Sequence, residues 1–337
     1  DRAYWGFAAN VHFMTVAFNH ALATNRTLLT RNPDHWNYGG RDCRSGWECY
    51  FQPLSRCSEQ DVWEPFTLPV RADFRWDHRG YLYRLDTLEE RVVHYANVDG
   101  PWQEALGNSR SPSGEPVRLW IPPQFKHRGL LWWRAQLTRF LFRPKRFVVD
   151  FINDRLSALG IEDGRGRRSK VAGLHVRRGD KAYDMYQGCY FGNIDSYILK
   201  AKHLLPDSSA LYISTDDPSV IDSLPQTQAQ HGIKTIHDPL ERRYNGTHIY
   251  APQGISIARW PAFPGNDPKV NTTMYALETI KSIWILGLRT DEFVGTVTSS
   301  MSRLIYQLRV GFGARELQDE WTVDQDARHP PGWFADP

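Results

Sequence analysis

The sequence is short of several features by which protein classes are commonly recognised. It has no G-x-x-x-x-G-K-[ST] loop, no G-x-G-x-x-G after a strand and no G-x-S-x-G elbow. No apolar run approaches the ~20 residues that a membrane-spanning helix needs. Neither charge sign dominates, because 41 Lys and Arg face 38 Asp and Glu and leave a net charge of +3. So small a surplus does not indicate nucleic-acid binding, and any anion must be bound by a local cluster of residues.

The composition is that of a globular protein large enough for two domains. Of the 337 residues, 41% are hydrophobic and 23% are charged, and a chain of this length normally divides its core between two units. Gly (25) and Pro (21) are scattered without a period, which excludes a fibrous protein. The polar run at 164–170 reads as a flexible connector. We therefore predict one domain over residues 1–165 and a second over 166–337.

Only four cysteines are present, and three of them, Cys43, Cys49 and Cys57, lie close together. Their spacing matches no C-x-x-C pattern, so we expect one or two disulfides, with three connectivities open if Cys189 takes part. The sequence begins at Asp1 without a basic or apolar leader, and we expect a targeting or anchoring segment to have been removed. Three Asn-x-Ser/Thr sequons are also present, at Asn25, Asn245 and Asn271. Such sequons agree with a secretory compartment.

The first half of the chain is predicted to combine helices with a long loop. Apolar residues recur at helical spacing from Val11 to Leu22, and residues 27–29 follow as a short predicted strand. Residues 31–65 are rich in Asn, Gly, Cys and aromatics without a period, which favours an ordered loop held by its cysteines. Helical spacing resumes from 130 to 159. It is interrupted at Pro144, which should end one helix and stand near the start of the next.

The second half is predicted to form parallel strand–helix units. Three short apolar strands are predicted at 171–176, 210–214 and 292–296, each leading into a polar turn and a helix. In such sheets, ligands bind at the carboxyl ends of the strands. The three turns are therefore the candidate site.

The first turn carries the basic motif His-Val-Arg-Arg-Gly-Asp-Lys, from His175 to Lys181. Side chains alternate along a strand, so His175 and Arg177 should share one face while the valine between them packs on the other. The guanidinium of Arg177 offers a fork of donors to phosphate oxygens, and Lys181 adds a second cation. For Arg178 and Asp180, a structural ion pair at the strand end is the alternative.

The second turn carries two adjacent carboxylates, Asp216 and Asp217, followed by Pro218. Proline in the first turn of a helix and a preceding Asp or Thr are typical of a helix start. Capping needs one carboxylate, so we predict that the second is free to bind a base or a ribose. Paired carboxylates also serve glycoside hydrolysis or a metal, but neighbouring positions at a cap diverge in direction.

The third turn leads from the strand into a helix that begins near Ser299 and Ser300. Backbone N–H groups and small hydroxyls at a helix start can bind a diphosphate. The only D-x-D sequence, Asp324 to Asp326, comes after the last clear helix. We predict that it lies in a polar tail that would give a catalytic metal little shelter.

Taken together, the three turns resemble those of the core α1,6-fucosyltransferases and the rhizobial nodulation fucosyltransferases. The basic motif alone is less specific, because α1,2-fucosyltransferases carry a similar His-x-Arg-Arg-Gly-Asp. The resemblance extends over about residues 3–310. Segments of the first half also occur in the order found in that family, namely 6–12, 25–29, 36–38, 46–53 and 133–144.

The resemblance implies an α/β fold of the GT-B type, in which two Rossmann-like domains enclose a cleft. It also implies GDP-fucose as the donor and an inverting transfer of fucose to a sugar hydroxyl without a metal. His175 and Arg177 would contact the donor phosphates, with Arg178 and Asp180 shaping their loop, and Glu278 would read the guanine edge. The other positions implied at the donor site are Phe7, Ala8, Tyr38, Tyr197, Asp216, Asp217 and Ser300.

The sequence departs from the family at the catalytic base. The core enzymes have a Glu four residues after the lysine of the basic motif, whereas this chain has Met185 there. Asp184 is the nearest carboxylate, and we expect it to take the acceptor proton while Arg177 and Lys181 stabilise the departing GDP. A general base contributes about 10²- to 10⁴-fold, so this change predicts an altered acceptor or a weaker activity.

The partners implied are GDP-fucose and a glycan or oligosaccharide acceptor, with an α1,6-type linkage. An α1,2 or protein O-linked specificity is the alternative within the class, and a non-catalytic nucleotide-sugar or glycan-binding protein is the alternative outside it. No nucleic acid is expected, and a membrane only through an anchor outside this sequence. The expected location is the Golgi lumen of the secretory pathway.

Overall fold

A computed structural model describes residues 6–23, 25–30, 38–39, 43, 46–57, 70–72, 93–95, 121–161, 170–178, 193–241, 272–313 and 321–324. The chain divides into two compact units, Asp1–Pro144 with Pro330–Pro337, and Lys145–His329. The division falls earlier than the predicted boundary at 165/166, because a helix at 146–159 packs on a helix of the second unit. Within the described ranges, no helix has the length and apolarity needed to cross a membrane.

The described residues of the first unit form helices and one pair of parallel strands. Its elements are α1 (Phe7–Ala23), a 3₁₀ turn (Gly46–Cys49), β1 (Val70–Ala72) beside β2 (Val93–Tyr95), a second 3₁₀ turn (Pro123–Arg128) and α2 (Gly129–Leu141). The predicted first helix is confirmed as α1. It packs on α2, where the Trp133 indole N–H donates to Asn19 Oδ1 at 2.8 Å. A disulfide joins Cys43 to Cys49, which confirms the expectation of one or two disulfides and settles a pairing that the sequence left open.

The strand predicted at 27–29 does not form. Asn25, at a φ of 52°, turns the chain out of α1, and the Arg26 N–H closes back onto the Ala21 carbonyl at 2.7 Å. The residues that follow are irregular, and no described strand pairs with them. A short apolar run without a neighbouring strand has no ladder to join. Cys57 is exposed and unbridged, and Cys189 lies outside the described residues.

The second unit confirms the predicted α/β class. Its elements are α3 (Arg146–Leu159), β3 (Val171–Val176), α4 (Ile194–Leu204), β4 (Ala210–Thr215), α5 (Pro218–His231), β5 (Lys234–His237), α6 (Thr272–Leu288), β6 (Glu292–Val294) and α7 (Ser300–Gly311). The strands form a parallel sheet in the order β5-β4-β3-β6. Pro144 separates α2 from α3 as predicted. Sequence reasoning missed β5, because that strand has a single aliphatic residue among polar ones.

Helices cover both faces of the sheet, and the alternation of side chains along β3 shows how. Leu174 and Val176 belong to a hydrophobic core that includes residues of α4 and α5. Gly173 points to the other face, where a Cβ would lie only 2.7 Å from Leu286 Cδ2 of α6. His175 lies on that same face. His175 therefore points toward α6 and α7, while Leu174 and Val176 on either side of it pack into the core on the opposite face. This is the alternation that the sequence predicts.

Candidate functional site

The carboxyl ends of β4, β3 and β6 lie side by side, because these strands are parallel neighbours in the sheet. The register pairs Val176 with Thr215 and Leu174 with Val294. The turns that follow the three strands therefore meet at one edge. The predicted site residues that the structure brings to this edge are His175, Arg177, Arg178, Asp216, Asp217, Ser299 and Ser300.

At this edge, two arginines from the end of β3 meet two aspartates from the end of β4. The Arg177 guanidinium forms an ion pair with Asp216, and the backbone N–H of Arg178 donates to Asp216 Oδ1 at 2.9 Å. The Arg178 guanidinium lies 3.8 Å from Asp217 Oδ2. All four side chains are between 14% and 28% exposed. The charges are therefore partly desolvated and still within reach of a ligand.

Both aspartates have partners within the protein. Asp217 is the N-cap of α5, and its Oδ1 accepts the Ser219 N–H at 2.9 Å and the Ser219 hydroxyl at 2.7 Å. The predicted helix start is thus confirmed. Asp216 is not without partners, because it pairs with Arg177, and its binding of a base or a ribose stays a prediction.

His175 connects β3 to the turn after β6. The ring is buried, and its Nδ1 lies 2.6 Å from the hydroxyl oxygen of Ser302. The same oxygen accepts the Thr296 N–H at 3.2 Å. Burial, followed by the charge of Arg177, lowers the pKa of His175 from 6.5 to about 3. The imidazole is therefore neutral at physiological pH, and it can meet a phosphate only through hydrogen bonding.

The low pKa of His175 predicts that the protein loses stability in mild acid. The unfolded chain takes up a proton at this histidine below pH 6.5, whereas the folded chain does so only near pH 3. The free energy of unfolding therefore falls as the pH drops through this window, by about 2 kcal/mol at pH 5. Urea unfolding at pH 7 and pH 5 should show a loss about 2 kcal/mol larger for the unmodified chain than for His175→Gln. Equal losses in the two proteins would contradict the burial of a neutral imidazole.

Side chains hold the turn between β6 and α7 in place. Ser299 is the N-cap of α7 and accepts the Ser302 N–H at 3.4 Å. Arg303, one turn into the helix, donates to the Val297 carbonyl at 2.7 Å and to the Ser300 hydroxyl at 3.1 Å. A buried guanidinium thus lies directly behind the two serines predicted to receive a diphosphate.

A carboxylate from the end of the described chain also binds this turn. Asp324 Oδ1 accepts the Val297 N–H at 2.7 Å, and its Oδ2 accepts the Thr298 N–H at 3.1 Å. Asp324 is only 2% exposed. The prediction that this residue lies in an unsheltered polar tail is therefore wrong. Two amides of the predicted anion site are already bound to a carboxylate of the protein.

Glu278, predicted to read the guanine edge, lies on α6 in a buried ionic cluster. It forms an ion pair with Lys281, which is fully buried. Lys281 Nζ also lies 2.5 Å from Asp238 Oδ2, and Arg155 of α3 pairs with the same carboxylate. Burial favours the neutral form of Asp238, but the hydrogen bond and charge of Lys281 outweigh it and lower the pKa of Asp238. The base-reading role of Glu278 stays a prediction, and a base would share this carboxylate with Lys281.

Sequence reasoning missed the residues that surround Glu278. Asp238 follows β5 as Asp216 follows β4, but β5 itself was not recognised. Glu241, three residues later, accepts the hydroxyl of Ser214 at the end of β4 and, at 2.7 Å, that of Ser282 on α6. The only signal in the sequence was the spacing of Glu278 and Lys281, which places them on one face of a helix.

The predicted donor contacts of the first unit are buried within that unit. Phe7 and Ala8 begin α1, and the Phe7 ring meets the Tyr38 ring edge-on at 5.4 Å. The Tyr38 carbonyl accepts the Tyr50 hydroxyl at 2.6 Å. These contacts fix the start of α1 against the loop that contains the disulfide. The approach of Phe7, Ala8 and Tyr38 to a donor stays a prediction.

The remaining predicted site residues are a core tyrosine and three residues outside the described ranges. Tyr197 of α4 is buried in the hydrophobic core that lies under β3. Asp180, Lys181 and Asp184 lie outside the described residues, so the proposed base stays a prediction. The described part of the chain contains no group of three or more His, Cys, Asp and Glu residues arranged to hold a metal ion.

Fold and site together define an α/β protein whose polar and charged residues gather at the carboxyl edge of a parallel sheet, where this class binds its ligands. No family model matches the chain. In sequence, it is 24% identical over 243 residues to an α-(1,6)-fucosyltransferase of Drosophila melanogaster. That match covers 69% of this chain and 34% of the relative. The chain thus spans about a third of the length of that curated relative.

Solved structures of POFUT1 are similar to the chain at low sequence identity. The apo form superposes with a TM-score of 0.45 at 14% identity, over 90% of this chain and 92% of the other. The complex with GDP-fucose gives 0.45 at 13% identity, over 90% and 92%. The complex with GDP gives 0.42 at 13% identity, over 89% of each chain.

Proposed function

We propose that the protein is an inverting fucosyltransferase that moves L-fucose from GDP-fucose to a sugar hydroxyl of a glycan. The observation that carries the proposal is the meeting of three motifs at one sheet edge. The basic motif of β3 lies beside the Asp216–Asp217 turn, and the serine turn of α7 lies on the other side of β3. The similarity in sequence to an α-(1,6)-fucosyltransferase supports the same donor and the same reaction.

In the proposed mechanism, cationic side chains stabilise the negative charge that develops on the leaving group. Arg177 and Lys181 offset the charge that develops on GDP as the bond to fucose breaks, and Ser299 and Ser300 donate hydrogen bonds to the diphosphate. Neutral His175 acts through hydrogen bonding. Asp184 accepts the proton of the acceptor hydroxyl as that oxygen attacks the fucose carbon from the opposite side. No metal is needed for this division of roles.

The ion pair of Arg177 with Asp216 neutralises and orients the cation of the proposed donor site. The Asp216 carboxylate balances the Arg177 guanidinium, so this edge of the sheet does not hold an uncompensated, partly buried charge. A diphosphate shares or replaces this partner when it binds. Asp216 thereby keeps the guanidinium oriented toward the edge of the sheet before the donor arrives.

For the acceptor, we propose an α1,6-type linkage, which the order of the motifs and the Drosophila relative support. The proposed architecture is of the GT-B type, with the first unit on the acceptor side and the second unit binding the donor. We propose the Golgi lumen as the location. The disulfide between Cys43 and Cys49 supports an oxidising compartment of this kind.

Incubation with GDP-fucose labelled in the sugar and a panel of N-glycan acceptors tests the activity and the linkage together. The expected product is a fucosylated glycan in which C1 of fucose has the α configuration and is bonded to the oxygen at the 6-position of the acceptor sugar. NMR reads both the configuration and the position. Transfer of fucose to the 2-position, or to a Ser or Thr hydroxyl of a peptide acceptor, would agree with GDP-fucose as the donor and would contradict the α1,6-type linkage. If none of the acceptors is fucosylated, the proposal that the protein is a fucosyltransferase is contradicted.

A non-catalytic nucleotide-sugar-binding protein is the second candidate, and the Met185 position favours it. Where the resemblance predicts a glutamate base, the chain has a methionine. Such a protein would bind GDP-fucose at the same sheet edge and release it unchanged. Donor binding without either transfer or hydrolysis would favour this candidate over the transferase.

A further inference from the structure

The segment Trp321–Asp324 docks on the outer side of β6. The Gly295 N–H, directly after β6, donates to the Trp321 carbonyl at 3.0 Å, and the Val323 N–H donates to the Gly295 carbonyl at 3.1 Å. The Trp321 ring stacks on Phe293 and on Tyr306, with ring centroids 5.7 and 4.7 Å apart. Sheet hydrogen bonds and stacking therefore fix this segment, and they bring Asp324 to the turn that precedes α7.

The carboxylate of Asp324 collects four hydrogen-bond donors. Besides the amides of Val297 and Thr298, it accepts the Thr298 hydroxyl at 2.8 Å and the hydroxyl of Thr322. Each oxygen takes two donors, so a neutral amide at this position could satisfy only one pair. The ionised carboxylate is thus the group that matches the turn, and charge-assisted bonds of this kind are the stronger ones.

The same turn carries the serines of the proposed donor site. The hydrogen bonds of the Val297 and Thr298 amides to Asp324 restrain the backbone of the turn, and Ser299 and Ser300 follow it directly. Arg303 closes the turn from the helix side, through the Val297 carbonyl and the Ser300 hydroxyl. Asp324 itself lies behind the turn and is buried.

We propose that Asp324 is a positioning residue for the donor, whose carboxylate holds the turn Val297–Ser300 in the shape that receives the diphosphate. The inference rests on the proposed function, because it takes the ligand of this turn to be the diphosphate of the nucleotide sugar. Asp324 acts through the turn and does not touch the donor. Loss of the carboxylate therefore weakens donor binding and leaves acceptor binding intact.

The test is calorimetric titration of Asp324→Asn with GDP, followed by steady-state kinetics. We expect the Kd for GDP to rise at least tenfold and the KM for GDP-fucose to rise with it, while the KM for the acceptor stays unchanged. The matched control is Asp207→Asn, which removes an exposed carboxylate that precedes β4 and pairs with Lys170. It should bind GDP as the unmodified protein does.

The binding stoichiometry separates positioning from a general loss of structure. A variant that is partly unfolded binds fewer equivalents of GDP with the same Kd, whereas a misplaced turn binds one equivalent with a higher Kd. Should Asp324→Asn not fold, Thr298→Val removes one donor to the carboxylate and is expected to raise the Kd about threefold. Thr298→Ser restores the hydroxyl and should restore the affinity.

Three outcomes overturn the inference. A Kd for Asp324→Asn within twofold of the unmodified value, with or without a change in stoichiometry, contradicts the positioning role. If the unmodified protein binds GDP in the same experiment, the proposed donor still stands. Tighter GDP binding by the variant shows that the carboxylate competes with the diphosphate for the turn. Absence of GDP binding by the unmodified protein overturns the proposed function, and this inference with it.

Discussion

Arg177→Ala is expected to lower the affinity for GDP by about 100-fold or more, because two effects add. The variant loses the fork of donors that binds the phosphate oxygens. It also leaves Asp216, whose side chain is 14% exposed, without its ion-pair partner at the edge where the diphosphate binds. An uncompensated carboxylate there repels the ligand. Calorimetric titration with GDP measures the combined loss.

Two further variants separate these effects. Arg177→Ala combined with Asp216→Asn removes the repulsion and should recover part of the affinity, while the missing fork keeps it well below the unmodified value. The matched control is Arg146→Ala, which removes an exposed guanidinium that pairs with Asp150 on α3. GDP binding by Arg177→Ala within threefold of this control would contradict the assignment of Arg177 to the phosphates.

Lys281→Met is expected to destabilise the folded protein by about 3–5 kcal/mol. The lysine is fully buried and neutralises the carboxylates of Glu278 and Asp238. Methionine fills a similar volume but leaves two buried acids with Arg155 as the cation that remains in the described cluster. Uncompensated charges in a low-dielectric interior are costly, and urea unfolding at pH 7.5 measures the cost.

Lys170→Met provides the comparison for a surface pair. Its ammonium lies 2.6 Å from Asp207, but the two side chains are 54% and 65% exposed. Exposed pairs contribute less than about 1 kcal/mol, so this variant should unfold close to the unmodified midpoint. An equal loss in the two variants would show that the cluster around Lys281 is solvated and does not stabilise the unit.

Local patterns in the sequence predict much of the second unit. The strands at 171–176 and 210–215 form because each is a run of buried residues, and Asp217 and Pro218 start the next helix as their chemistry requires. Pro144 separates two helices for the same local reason. In these elements, residues within one turn or one strand decide the structure, and the prediction is confirmed.

What the sequence leaves open depends on which segments become neighbours. The pairing of Arg177 with Asp216 follows from β3 lying next to β4, which no local pattern states. The strand at 234–237 lies at the edge of the sheet and has too few apolar residues to be recognised. Asp324 reaches its turn through the bridge between Gly295 and Thr322 and the stacking of Trp321, and these contacts have no periodic signal in the sequence.

The most direct test of the proposed function is calorimetric titration of the unmodified protein with GDP, beside UDP, ADP and CDP. A site that reads the guanine edge and binds a diphosphate at the β3, β4 and β6 edge predicts saturable binding of GDP, at one equivalent and well above the affinity for the other three. No binding of GDP, or equal binding of all four nucleotides, would contradict a GDP-fucose-dependent transferase.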